Sequence, residues 1–243
     1  MSNNKLDILL RPLIKEGLKL TPVADGSAVS ANCKSKFGGL PYAEAGDCWP
    51  SCPTCKKELT FINQIFDEKE DTLFVFFYCN ECGPWGLGDE EKGQWIARQY
   101  KKPSIENISE IQRKNKDKFP ITACSVSTAS AMILPDWEGI DSVSEEVSDL
   151  CCEIDNDSPW EVYEESVVRA KCLNDYSTIL GGYPRYVQGE VSATCIKCNS
   201  EMEFYAQIDS EDEAELMWGD VGLVYFYRCS EHKDEIHLEL QCH

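Results

Sequence analysis

The sequence predicts an α+β chain, mostly antiparallel β, in which two small β units related by internal duplication stand in pseudo-twofold arrangement. Three observations carry this. The turn-forming stretch Phe37-Gly38-Gly39-Leu40-Pro41 returns 143 residues later as Leu180-Gly181-Gly182-Tyr183-Pro184, and ten identities accumulate at that offset between residues 37–65 and 180–208 without a gap. Behind each turn stands a Cys-x-x-Cys pair, Cys52/Cys55 and Cys195/Cys198. Each pair is followed by an alternating apolar stretch and then an aromatic run, Leu73–Tyr78 and Leu223–Tyr227, which read as strands.

The local reasons are the same in both copies. Gly-Gly-x-Pro is a turn because glycine tolerates positive φ and proline fixes its own. Leu59, Phe61 and Ile65, with Met202, Phe204 and Ile208 in the copy, are placed on one side of a half-buried strand. The acidic connections Asp67–Asp71 and Asp209–Glu215 are expected as solvated hairpin tips. Beyond them the offset becomes 150, so that Cys79 falls on Cys229 and Cys82 on His232.

Outside the repeats, Leu6, Leu9, Leu10, Leu13 and Ile14 have helical spacing and read as a short docking helix, with Pro12 better suited to a helix start than to its middle. Ser142–Leu150 opens with a capping-like Ser-x-x-Glu. The expected organisation is therefore an N-terminal helical segment (1–30), a first zinc-binding β repeat (31–100), an acidic insert or linker (101–175) and a second zinc-binding β repeat (176–243).

Fourteen cysteines without an export signal point to metal before disulfides, because cytosolic thiols stay reduced. The ligand sets are Cys52, Cys55, Cys79 and Cys82 in the first repeat, and Cys195, Cys198, Cys229 and His232 in the second. Two intervening residues let both side chains of a tight turn reach one ion, and two such knuckles complete a tetrahedron. The one change between copies exchanges one zinc ligand for another. Two structural Zn2+ ions per chain are expected, in zinc-ribbon-like units. Iron in the four-cysteine site, redox-active pairs and unligated buried thiols are the competing readings. The other seven cysteines are expected to be core thiols. Gln64 and Gln207, at equivalent positions, are expected to be buried amides that satisfy backbone groups.

A zinc held by four protein side chains has no open position for substrate. The chain has only three histidines and no phosphate loop, nucleophile elbow or metalloprotease helix, so an enzyme is not expected. With 43 acidic against 23 basic residues the net charge is −20, which disfavours nucleic acid and anionic membranes and favours a basic protein partner. No apolar run approaches the roughly 20 residues of a membrane span. A cytoplasmic, soluble protein is expected.

The motifs Phe-Gly-Gly-Leu-Pro, Trp49-Pro50, Phe61-x-x-Gln64, Met202-x-Phe204-x-x-Gln207-Ile208 and Trp218-Gly219-Asp220-x-Gly222 resemble the bacterial YwqG-like domain of unknown function. The resemblance covers both repeats and skips most of 101–175. Trp95-x-x-Arg98-Gln99 and the aromatic strand into Cys79-x-x-Cys82 are distantly similar to the programmed cell death protein 2 family, whose members are dedicated chaperones of a basic ribosomal protein. These resemblances imply a duplicated, mostly β fold and a protein-binding role without an active site. Genes of the YwqG-like type sometimes lie among toxin genes, which implies an immunity protein. The expected function is thus a zinc-stabilised acidic module masking a basic partner, as an immunity protein or alternatively a chaperone, with an enzyme using the inter-repeat cleft as the remoter reading. Within the insert, Asp136–Glu165 holds twelve acidic residues and no Lys or Arg, so Trp137, Glu145, Glu146, Asp149 and Trp160 are the expected partner-binding residues.

Overall fold

A computed structural model describes residues 2–82, 94–115 and 120–243. Its strands are β1 (Lys15–Val23), β2 (Lys36–Phe37), β3 (Thr60–Asp67), β4 (Thr72–Tyr78), β5 (Trp95–Lys101), β6 (Cys124–Ile133), β7 (Ile179–Gly181), β8 (Glu203–Asp209), β9 (Leu223–Arg228) and β10 (Ile236–Gln241). Among the described residues three α-helices accompany them, α1 (Ser2–Leu10), α2 (Ile140–Ile154) and α3 (Pro159–Arg169). The strands form one antiparallel sheet in the order β10-β9-β8-β7-β1-β6-β2-β3-β4-β5.

That order is symmetric about its middle, and the symmetry has a strand exchange in it. β1 pairs with β7 of the second repeat, while β6 pairs with β2 of the first. Leu18 lies opposite Leu180 as Cys124 lies opposite Phe37, so β1 and β6 are equivalent strands. The β1–β6 pair Thr21–Ser127 then maps onto itself, which puts the pseudo-twofold axis there. Two sequence expectations are corrected here. Part of the N-terminal segment expected to be helical, Lys15–Val23, is a strand, and so is part of the expected insert, Cys124–Ile133. Both strands hid from pattern reading: β1 carries Gly17 and Pro22, and β6 is Cys-Ser-Val-Ser-Thr-Ala-Ser-Ala-Met-Ile, small, polar and exposed through its middle.

The repeats agree in detail. A β-bulge lies between Phe61 and Asn63 and again between Phe204 and Ala206. It shifts the pleat by one residue, so Phe61 faces one side of the sheet and Ile65 the other, as do Phe204 and Ile208. The expectation of a single side for these residues is corrected by that extra residue. Gly38 and Gly39 have φ of 56° and 69°, and Gly181 and Gly182 have 72° and 79°. At Gly39 a Cβ would lie 2.7 Å from the carbonyl oxygens of Ala28 and Val29, so glycine is required twice over.

The sheet curls until its two arms meet across an inner core. Phe74 and Phe76 of β4 stack edge-on to Phe226 of β9 at 4.9 and 4.8 Å. The second connection, unlike the first, is no solvated tip. Its extra residues turn inward through a 3-10 turn at Asp212–Ala214, and Ala214, Leu216 and Trp218 are buried in the inner core. Two outer cores lie on the opposite face of the sheet, one per repeat. The first joins Tyr42, Trp49, Leu59 and Phe61 to Leu73, Val75 and Phe77; the second joins Tyr186, Ala193 and Met202 to Leu223, Tyr225 and Tyr227. The helices make a fourth core with Leu6, Leu10, Val147, Leu150 and Tyr163. Pro12 lies in a 3-10 turn that ends α1. In α2 the backbone at Ser144 is non-helical, so the regular part of that helix begins at Glu145.

Candidate metal centres

Each centre is assembled from a loop turn and the end of an aromatic strand. In the first, the Cys52 amide donates to the Lys57 carbonyl (2.8 Å) and the Lys56 amide to the Cys52 carbonyl (3.0 Å), with Lys56 at φ 64°. In the second, Cys195 donates to Ser200 (2.9 Å) and Asn199 to Cys195 (2.8 Å), with Asn199 at φ 57°. Isolated bridges, Ser51–Glu58 and Thr194–Glu201, close both turns. β4 and β9 end one residue before Cys79 and Cys229, delivering the second half of each ligand set.

The eight expected ligands meet in two groups of four, the ligand atoms of each group lying within 4.8 Å of one another. Sγ of Cys55 and Cys79 are 3.7 Å apart, and Sγ of Cys198 and Cys229 are 3.6 Å apart. Nδ1 of His232 is 3.8 Å from Cys195 Sγ and 3.7 Å from Cys229 Sγ. Bonds of ~2.3 Å around a tetrahedral ion give edges of ~3.8 Å, so the separations fit a shared cation and exceed any disulfide. All fourteen cysteines are free thiols.

The donor chemistry also fits a cation. Burial pushes the Cys52 thiol up, but amide donors at Cys55 and Thr54 outweigh it and bring the group down to about 7. The hydroxyl and amide of Ser200 bring Cys198 down to about 6. Burial, then the adjacent Cys55 and Cys52, push Cys82 up to about 12. Four neighbouring thiols cannot all ionise alone, whereas a divalent ion makes the fourth thiolate favourable. One ligand of each pair is buried and the other half-buried in both centres.

Gln64 and Gln207 satisfy backbone, as expected. Gln64 Oε1 accepts from the Tyr42 amide (2.9 Å) while its Nε2 donates to the carbonyls of Asn32 and Lys34. Gln207 Oε1 accepts from the Arg185 amide (2.9 Å) and its Nε2 donates to the Ser177 carbonyl (2.9 Å). Each amide pins the loop that carries its metal turn. Sequence reasoning missed Lys36, which is 1% exposed and donates through Nζ to the carbonyls of Ala28, Ser30 and Leu40. Nothing in a lysine beside Phe37 signals burial.

Of the remaining thiols, Cys124, Cys151, Cys172 and Cys242 are buried and Cys33 is half-buried, but Cys48 and Cys152 are exposed, which corrects the expectation of core thiols for those two. Glu145, Glu146 and Asp149 are exposed on α2. Trp137 packs on Tyr163 inside the helical layer, ring centroids 5.7 Å apart, whereas Trp160 is 45% exposed. Among the described residues no helix is long and apolar enough to cross a membrane. A family model described as a domain of unknown function (DUF1963) matches residues 35–232, a span that takes in both ligand sets. A search of curated proteins finds no match.

Proposed function

The chain belongs to the DUF1963 family, a domain of unknown function, and from that premise we propose that it is a zinc-stabilised binding module that masks a basic protein partner. Zinc is the ion that suits sulfur-rich tetrahedral sets of four cysteines, or of three cysteines and a histidine, and four protein ligands leave it a structural rather than a catalytic role. The observation that carries the binding reading is the helical layer: Glu145, Glu146 and Asp149 stand exposed on α2 of a chain of net charge −20, with the partly exposed Trp160 at the start of α3. A carboxylate-rich surface with an aromatic anchor recognises cationic protein segments, by fast electrostatic encounter followed by apolar contact. An immunity protein against a basic toxin is the preferred version; a chaperone of a basic nascent protein uses the same chemistry.

Two measurements test this. Elemental analysis of chelator-free protein should find two zinc ions per chain. The partner captured at low salt should associate more slowly with E145K/E146K/D149K, while zinc content and fold persist. Glu146 pairs with an exposed Lys5 at 3.8 Å, an ion pair of little worth, so the reversal costs little stability. Capture unaltered at low and high salt removes this surface from the interface.

A further inference from the structure

The two metal centres are alike in their ligands and unlike in what flanks them. β5 and β10 end the sheet and face each other across the curl, yet among the described residues no backbone hydrogen bond joins them. What crosses the seam is a group of side chains. Arg228 donates from both terminal nitrogens to the Glu70 carboxylate at 2.8 and 2.9 Å, and Lys233 Nζ reaches the same carboxylate at 2.7 Å. Gln99 on β5 donates to the Lys233 carbonyl at 2.6 Å. The Arg228 side chain is 12% exposed, and its guanidinium lies 4.1 Å over the Tyr205 ring.

Arg228 immediately precedes the ligand Cys229, and Lys233 immediately follows the ligand His232. The residues that grip the first repeat are thus the two flanks of the second repeat's metal turn. Among the described residues the first metal turn has no matching ion pair to the second repeat. The counterpart of Arg228 is Tyr78, whose ring packs on Trp218 in the inner core at 5.2 Å rather than bridging the seam, and Lys57 beside the first centre pairs with Glu81 of its own repeat at 2.7 Å. The bidentate pair is well shielded from water, so its geometry matters, and its geometry depends on the turn that the ion closes.

Building on the metal reading above, we propose that the ion at the histidine-containing second centre latches the seam of the curled sheet, while the ion at the all-cysteine first centre does not hold that seam. Metal at the second centre fixes the turn 229–232, the turn fixes Arg228 and Lys233, and these hold Glu70 and Gln99 of the other repeat. Coupling of this kind is reciprocal, so closing the seam must also tighten the second centre on its ion. Loss of the second ion loosens the β3–β4 tip and β5 in the other repeat, leaving two strand edges less protected.

The test is hydrogen exchange of the full chain, with zinc content measured on every sample. In H232A exchange should quicken within residues 67–71 and 97–101, in addition to the turn itself; in C82A it should not quicken within 228–241. Quickening confined to 229–235 in H232A, or equal effects across the seam from both variants, overturns the latch. A native protein lacking zinc fails the metal reading itself; one holding two ions with an indifferent seam fails only the latch. Glu70→Gln supplies a second readout that alters no ligand. Zinc should leave the second centre for a chromophoric chelator about tenfold faster, within the usual range of couplings between sites, while release from the first centre is unchanged. Equal release rates in E70Q and the native protein also overturn it.

Discussion

Gln207→Glu asks a buried amide to become a carboxylate without changing its shape. Gln207 is 1% exposed, and its Nε2 donates to the Ser177 carbonyl while its Oε1 accepts from the Arg185 amide. The introduced carboxyl, when protonated, reproduces both bonds, because its hydroxyl donates to the same carbonyl. When ionised it sets an anion against that carbonyl oxygen in a dry site, and an uncompensated buried charge costs roughly 3–5 kcal/mol. Taking about 3 kcal/mol and 1.36 kcal/mol per pKa unit, the folded pKa of the new acid rises by about 2 units above its unfolded value near 4.3. The sign follows. An acid whose folded pKa is raised binds more protons folded than unfolded, so stability falls as pH rises from about 4 through about 6.5. Urea unfolding in excess zinc should therefore find Q207E within about 1 kcal/mol of the native protein at pH 5 and about 3 kcal/mol less stable at pH 8, each compared at the same pH. Gln207→Leu should instead show a pH-independent loss, since it leaves one donor and one acceptor unpaired at any pH. A Q207E penalty that does not grow between pH 5 and 8 refutes the hydrogen-bond assignment.

Gln64→Glu should suffer less at pH 6.5 than Q207E, because Lys36, which burial brings down to about 7 and which is still largely charged there, is the register partner of Gln64 on β2 whereas Ile179 occupies that place in the second repeat; equal penalties measured by the same unfolding assay would count against Lys36 as a nearby cation. Cys52→Ser should cost one zinc ion and expose the first outer core to hydrogen exchange while the second ion stays, since each set closes within its own repeat; loss of both ions in elemental analysis contradicts this. Burial raises Asp209 to about 6 and Glu211 to about 7, so both oppose folding as pH climbs through that window; D209N/E211Q should flatten the fall in stability between pH 5 and 8 by ~1 kcal/mol after allowance for solvent screening. Gly39→Ala should destabilise by at least about 2 kcal/mol in thermal or urea unfolding, from positive φ and contact with two backbone carbonyls, whereas Gly46→Ala, with open space around its Cβ, should cost about half that.

The parts of the fold that could be read in the sequence are those fixed by short-range chemistry. Gly38-Gly39 and Gly181-Gly182 need positive φ, the paired cysteines need one ion, and the buried glutamines need backbone partners, so each leaves a residue-type signature twice. The strand exchange left none, because β1 is interrupted by Gly17 and Pro22 and β6 is small, polar and exposed through its middle. The curl was equally hidden. β4 is buried along its whole length, and such a run says that both faces are covered without saying by what. Trp218 shows the limit most plainly: it lies just past an acidic connection in the sequence, and in the inner core by its contacts with Phe76 and Tyr78. The latch was illegible for another reason. Glu70 and Arg228 lie 158 residues apart, and only the curl brings them together.

The metal centres make physical sense as answers to where this fold is weak. The inner core is shared by both arms and draws on ten strands, so it has many mutually supporting contacts. The outer cores do not. Each is a single layer of side chains between one arm of the sheet and a long loop, 38–59 or 182–202, that contributes almost no strand of its own. Loops of that length inside a compact domain need other restraints, and here these are the turn glycines, one buried glutamine and the cysteine turn at the loop's end. An ion joining that turn to the end of β4 or β9 closes the loop onto the sheet where no ladder does, and structural zinc contributes folding energy outright. Chelation should then separate the two layers in stability: far-ultraviolet circular dichroism retains the signal of the inner sheet, while proteases gain access between residues 40 and 58 and between 183 and 201. A single cooperative collapse of both layers on metal removal would mean instead that the inner sheet cannot stand without its outer cover.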